Sequence, residues 1–374
     1  MRKGRLWKWL GLGSLALCLS VSSAGAQEFG VSVPPPQPAG QGAPIMPANV
    51  IPAASHTTVT QTGHNGTTIG CDTCVVESEH AESTGLFVVG EFLWVRPRRR
   101  NLDFVIQDPT NNGSIDGQIT SLNWESKPAY RLGAGYRLGN GWEVGGYYFY
   151  LHSNNDKALT APAGGALFAT LTNPNIDQVS AAAAFTNLDM DVVDVEFAKT
   201  LRWHKEDLII RLAAGPRFAD IQQKFNAVYS GGVLGNANGA ALVSSPIGFD
   251  GWGLRVGGES YWNIFGGLSL YAKAYGSLLM GEFRTNLRES LNGGALTSIN
   301  VAERFEKVVP VTELGIGIAW SNENIRIRLG YELANWFGMV DSVDFVEGRS
   351  FGKTDRRVSD LSLEALSLQI GLFF

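Results

Sequence analysis

The feature that most constrains this chain is an alternation of apolar and polar side chains with a period of two residues, recurring after Gly85. Near Tyr130 it reads AYRLGAGYRLG: Tyr130, Leu132, Ala134, Tyr136 and Leu138 have one parity, and Arg131, Gly133, Gly135 and Arg137 the other. An extended strand sends successive side chains to opposite faces, so the segment has one greasy and one polar side. The same reading holds around 208–217, where Leu208, Ile210, Leu212 and Ala214 oppose Arg211 and Arg217. Between 325 and 333, Ile325, Ile327, Leu329, Tyr331 and Leu333 oppose Arg326, Arg328 and Glu332. Weaker copies at 87–96, 142–152, 188–203, 249–262, 268–280, 308–320 and 361–374 bring the expected strands to ten.

The connections alternate as well. Four are tight: Gly139-Asn140-Gly141, His204–Asp207, Asn263–Gly267 and Asn322-Glu323. Five are long, roughly 97–127, 153–187, 219–248, 281–307 and 335–360. Parity fixes registers across two of the turns. A three-residue turn sets Arg137 opposite Glu143, and an even turn near Lys205-Glu206 sets Asp194 opposite Arg217, so both are expected as cross-strand ion pairs.

Beyond the N-terminus no apolar stretch approaches the roughly 20 residues of a spanning helix. A soluble β-sandwich also alternates, but it would hide its apolar face and spread its charges outside. The final strand favours a membrane instead: ALSLQIGLFF puts Leu366, Leu368, Ile370, Leu372 and Phe374 on one face and ends on an aromatic. The expected fold over 85–374 is therefore all-β. It is a closed antiparallel transmembrane β-barrel of about ten strands, with eight or twelve as alternatives, short periplasmic turns and long outer loops. Closure is required because an open edge in lipid leaves backbone groups unsatisfied at several kcal/mol each.

Residues 1–26 read as a secretory signal: Arg2, Lys3, Arg5 and Lys8, then an apolar stretch, then Ala24-Gly25-Ala26. Cys18 lacks the small preceding residue of a lipobox, since Leu17 stands there. Without that segment 26 basic face 35 acidic side chains, a balance that argues against a nucleic-acid partner. Residues 27–84 form the expected periplasmic leader, disordered and Pro-rich, with seven prolines between Val33 and Pro52. It contains Cys71-Asp72-Thr73-Cys74, for which a local or intermolecular disulfide is expected. Val75 occupies the place where a c-type haem site needs His, and zinc shared with His64 and His80 is the alternative. No cofactor is expected.

The ordered blocks LFVVGEFLWVRP, PAYRLGAGYRLGNGWEVGGYYFYLHS, MDVVDVEFAKTL, LAAGPRFADIQQ, GWGLRVGGESYW, LSLYAKAYGSLLMGEF, VVPVTELGIGIAW, LGYELANWFGMVD and the terminal LFF carry a resemblance. Over approximately 86–374 the chain resembles the pore-forming outer-membrane family typified by the Legionella major outer membrane protein. The resemblance implies an outer-membrane barrel with pore activity and defines no catalytic site. The leader and its CDTC lie outside it. The last strand similarly resembles the signal read by the barrel-insertion machinery.

On this reading the polar face is the lumen: Arg131, Arg137, Glu143, Asp194, Glu196, Arg211, Arg217, Arg255, Glu259, Lys273, Glu313, Arg326, Arg328 and Glu332. Eight are basic and six acidic, so the count sets no strong ion selectivity. The residues either pair into a polar plug or line a narrow water path. About eight strands leave a barrel largely filled, whereas porins with an open channel have roughly 16–18, so ten predict a tight or gated pore. Trp94, Trp142, Tyr147, Tyr148, Trp203, Trp252, Trp262, Trp320 and Trp336 are candidates for interfacial girdles. The expected function is passive diffusion of small hydrophilic solutes, with outer-membrane lipid and the insertion machinery as partners; a homo-oligomer stays open. The rivals are a structural or adhesive surface barrel with a plugged lumen, and a hydrolase using His152, which Ser153, Asn154, Asn155 and Asp156 follow. His204, at an expected inner turn, is the weaker catalytic candidate.

Overall fold

Ten long strands carry the alternation, and they pair in one ring. The computed structural model describes residues 84–173, 176, 178–203, 207–234, 239–345 and 356–374. The signal segment, the leader with Cys71, Cys74, His64 and His80, and His204 lie outside the described residues. The ring strands are β1 (Gly85–Arg99), β4 (Lys127–Gly139), β5 (Trp142–Thr160), β8 (Ala181–Trp203), β9 (Leu208–Ser230), β10 (Ala241–Phe265), β11 (Leu268–Leu291), β12 (Leu296–Ser321), β13 (Ile325–Val343) and β14 (Arg356–Phe373). Each pairs antiparallel with its neighbours. The ring closes because β1 pairs with β4 on one side and with β14 on the other, from Phe87↔Phe373 to Arg99↔Leu361. The remaining strands, β2 (Asp103–Asp108), β3 (Gln118–Ser121), β6 (Ala166–Ala169) and β7 (Gln178–Val179), form a separate small sheet in the order β3-β2-β6-β7.

Burial decides between the membrane barrel and the soluble sandwich. Outward-facing Ile316 is 67% exposed and Leu254 63%, whereas Arg217 is 4% and Glu313 8% exposed. A water-soluble sheet protein would have the opposite arrangement, because apolar burial drives its folding. The greasy face here needs lipid. Its upper limit across β8–β12 is a row of carboxylates in register, Asp191↔Asp220↔Asp250↔Glu282↔Glu306. Directly below it stand Val193, Phe218, Trp252, Met280 and Val308.

The tight turns follow from local chemistry. Gly139, Asn140 and Gly141 all have positive φ, as do Gly266 and Gly267 in the two-residue turn between β10 and β11. Such turns match the twist of the strands they join, and glycine or asparagine reaches that region at little cost. The expected turn at Asn263–Gly267 is shorter than read, since β10 continues through a bulge between Asn263 and Phe265. Between β12 and β13, the Asn322 carboxamide oxygen accepts the N–H of Ile325 at 2.7 Å and of Asn324 at 3.1 Å.

The long connections differ from expectation. Much of 153–187, 219–248 and 281–307 is strand, because pairing persists as far as Thr160↔Ala181, Ala181↔Ser230 and Leu242↔Ser290. The segment 97–127 holds β2 and β3, and β13 and β14 extend into 335–360. The reason lies on the inward face of these extensions, which is apolar: Ile221, Phe225, Phe249, Phe283 and Leu287 are all buried. They pack with Phe104, Val105, Leu167 and Val179 of the small sheet in one continuous cluster. Burying each such side chain contributes about 1.5–3 kcal/mol, enough to hold hairpins together beyond the bilayer.

Candidate functional site

All fourteen residues read as lumen-facing lie on the inward parity of their strands, and most are held in ion pairs. On β9, Arg217 donates Nε to Asp194 of β8 at 2.6 Å and Nη2 at 2.8 Å, and also bonds Glu313 of β12. Arg255 on β10 reaches Glu313 at 2.9 Å and Glu196, while its guanidinium lies 3.5 Å from the centre of the Tyr275 ring. Arg211 joins Glu196 at 2.9 Å and Glu143 at 2.5 Å. Arg328 bonds Glu259 at 2.8 Å and the Tyr261 hydroxyl at 2.7 Å. Lys273 pairs with Glu332. Arg131 contacts Glu332 at 3.4 Å and Glu91 at 2.5 Å.

These links run across the barrel as well as around it. Asp194, Glu196, Arg217, Arg255, Lys273, Glu313, Arg328 and Glu332 are each at most 8% exposed. These eight side chains are packed against one another, whereas Arg131, Arg137, Glu143, Arg211, Glu259 and Arg326 keep partial exposure. Toward the long hairpins the interior continues as the apolar cluster, with Phe249 and Phe283 ring centres 4.8 Å apart. The segment after β6 is fastened there: Glu289, fully buried, accepts from Ser298 Oγ at 2.7 Å, from the Asn173 N–H at 3.1 Å and from Thr172. Tyr229 donates its hydroxyl to the Phe104 carbonyl at 2.6 Å.

The two expected cross-strand pairs fared differently. Both registers are present, Arg137↔Glu143 and Asp194↔Arg217. Asp194 and Arg217 form the ion pair, but the Glu143 carboxylate turns to Arg211. Arg137 instead lies 4.9 Å from the centre of the Phe373 ring, with Arg326 5.3 Å from the same ring. The physical reason is curvature: inside a narrow barrel, a side chain two strands away is as near as the one directly opposite. Glu91, 3% exposed, is a member of the network missed in sequence. Its signal was present, because it is the one charge on the inward parity of LFVVGEFLWV, and β1 sets it opposite Arg131.

Two aromatics do not belong to the girdles. Trp336 is 3% exposed, with the Arg217 guanidinium 5.9 Å from its ring, and Tyr147 stands against Gly133 inside. Both have the inward parity of their strands. Trp94, Trp142, Trp203, Trp252, Trp262 and Trp320 point outward and are exposed. His152 also faces outward, its Nδ1 2.5 Å from Asp189, whereas Ser153 is fully buried on the opposite face. Adjacent strand residues cannot converge, so these two make no nucleophile–base pair.

A family model described as the Legionella pneumophila major outer membrane protein precursor matches residues 81–373. The chain belongs to the Legionella major outer membrane protein family. Membership places this family member in the outer membrane, in accord with its greasy exterior. No curated protein matches it. Among solved structures it is similar to the outer membrane protease OmpT from Escherichia coli, with 9% identity and a TM-score of 0.41, over 78% of this chain and 97% of that one. It is also similar to the translocator domain of the autotransporter NalP from Neisseria meningitidis, with 11% identity and a TM-score of 0.34, over 79% and 90% of the two chains.

Proposed function

We propose that this family member is a sealed structural barrel of the outer membrane that presents its long hairpins as an interaction surface. One observation carries the reading: the charged lining that a channel would expose to water is buried in reciprocal ion pairs. Passage would have to disrupt that layer and then displace the apolar cluster above it. In the usual orientation of such barrels the short turns face the periplasm. The leader then enters β1 from the periplasmic side, and Leu366, Leu368, Ile370, Leu372 and Phe374 offer the insertion machinery an outward apolar strand.

Passive diffusion of small hydrophilic solutes is the second reading. It is favoured by the polar chemistry of the middle layer, where Arg217 and Arg255 share Glu313 and can exchange partners. Single-channel recording of refolded protein in planar bilayers separates the two. Silence with a confirmed barrel is expected, and ohmic steps at modest voltage would establish the pore instead.

A further inference from the structure

A cavity of about 820 Å3 lies at the upper end of the β1–β14 seam, where segment 122–124 folds against it. One wall is the run Arg96-Pro97-Arg98-Arg99-Arg100; Trp124 and Ser362 stand among the facing residues. The four cations are unequally engaged. Arg98 pairs with Glu364 at 2.6 Å, and Arg99 donates to Gln223 at 3.0 Å while its Nε is buried without a partner. Arg96 and Arg100 are exposed, and no ion pair or hydrogen bond holds either guanidinium among the described residues.

Trp124 is the second, independent observation. It is 2% exposed, lines the cavity, and its indole Nε1–H is buried with no acceptor. A buried donor left unsatisfied costs about 1–3 kcal/mol, which a small turn of the Trp124 ring toward an oxygen-bearing occupant would recover. Asp360 is the one carboxylate on the wall, and it accepts the N–H of Gly338 at 2.7 Å. Cations remain in excess.

Height fixes where the occupant comes from. Trp94 and Leu366 are register partners, outward and exposed, and the next outward pair is Arg96↔Glu364. The cavity therefore begins one residue pair above the lipid-facing band, at head-group depth. Arg96 and Arg100 are separated by roughly 13 Å of extended chain, a span that suits two phosphates at opposite ends of a disaccharide rather than two on one sugar. Guanidinium groups match phosphate oxygens in bidentate geometry.

We propose that this cavity binds a phosphate-bearing head group, with the phosphates against Arg96 and Arg100 and an oxygen accepting from Trp124. When the ligand is a lipid, its acyl chains lie along Trp94 and Leu366. The site goes beyond the sealed-barrel reading and stands whether or not the lumen conducts.

The test is native mass spectrometry of the refolded full chain in detergent micelles, with heat-modifiable gel mobility as the folding control. The probes are a bisphosphorylated acylated glucosamine disaccharide, the same lipid after phosphatase treatment, and inorganic phosphate as competitor. The phosphorylated lipid is expected to bind on the order of tenfold more tightly than the dephosphorylated one. R96Q/R100Q should remove that preference, and W124F should weaken it several-fold. Equal retention of both lipids, or an unchanged preference in folded R96Q/R100Q, overturns the proposal. Displacement by inorganic phosphate at lipid concentration keeps the phosphate chemistry and removes the lipid as its source. Should R96Q/R100Q fail to fold, an unchanged preference in W124F overturns the assignment.

Discussion

At the scale of the residue, Arg217 shows what a charge inside this barrel does. It is 4% exposed and engages Asp194 in two hydrogen bonds and Glu313 in a third contact. Removing one member of a buried pair leaves its partner charged without compensation, at about 3–5 kcal/mol. R217A should therefore lower the unfolding free energy obtained from urea titration in micelles by that amount, read from tryptophan fluorescence. An effect below about 1 kcal/mol would mean that water reaches and screens the pair. The pairing of Asp194 with Arg217 was legible because parity and turn length fix which residues face each other. The partner of Glu143 was not, since choosing Arg211 over Arg137 depends on distances across the lumen, which strand periodicity does not contain.

At the scale of the element, the alternation located all ten membrane strands and their inward faces, because a period of two is a local property of extended backbone. It did not locate the ends. The extensions of β8–β12 are rich in small and polar residues on the outward side, which resembles loop composition, while their alternate positions are Ile221, Phe225, Phe249 and Phe283. The outward carboxylate row marks where lipid contact stops. Like charges directly opposite one another destabilise a sheet by about 0.2–1 kcal/mol, and Asp220 has Asp191 on one side and Asp250 on the other. D220N should accordingly raise the unfolding free energy by a few tenths to about 1 kcal/mol at low ionic strength, and the gain should shrink in high salt. Asp220 also accepts from Gln222 Nε2 at 2.7 Å and Arg284 pairs with Asp250, so a loss of stability would show that these bonds outweigh the repulsion.

At the scale of the whole molecule, two layers of different chemistry occupy the same interior. The lower is an ion-pair network and the upper an apolar cluster, so damage to one leaves the other in place. F249A/F283A opens only the upper layer, and its current in planar bilayers should remain at baseline. A leak in that variant would assign the seal to the aromatic layer alone. The sequence by itself determined the strand faces, the tight turns, two registers and the membrane as solvent, since each depends on neighbours along the chain or on side-chain polarity. The tertiary structure alone decided that many of the lumen charges are buried in pairs and which carboxylate each arginine takes. It also brought Trp124 against the arginine run of β1. Those outcomes depend on ring closure, which sets Phe87 beside Phe373 and converts distances along the chain into distances across a narrow cylinder.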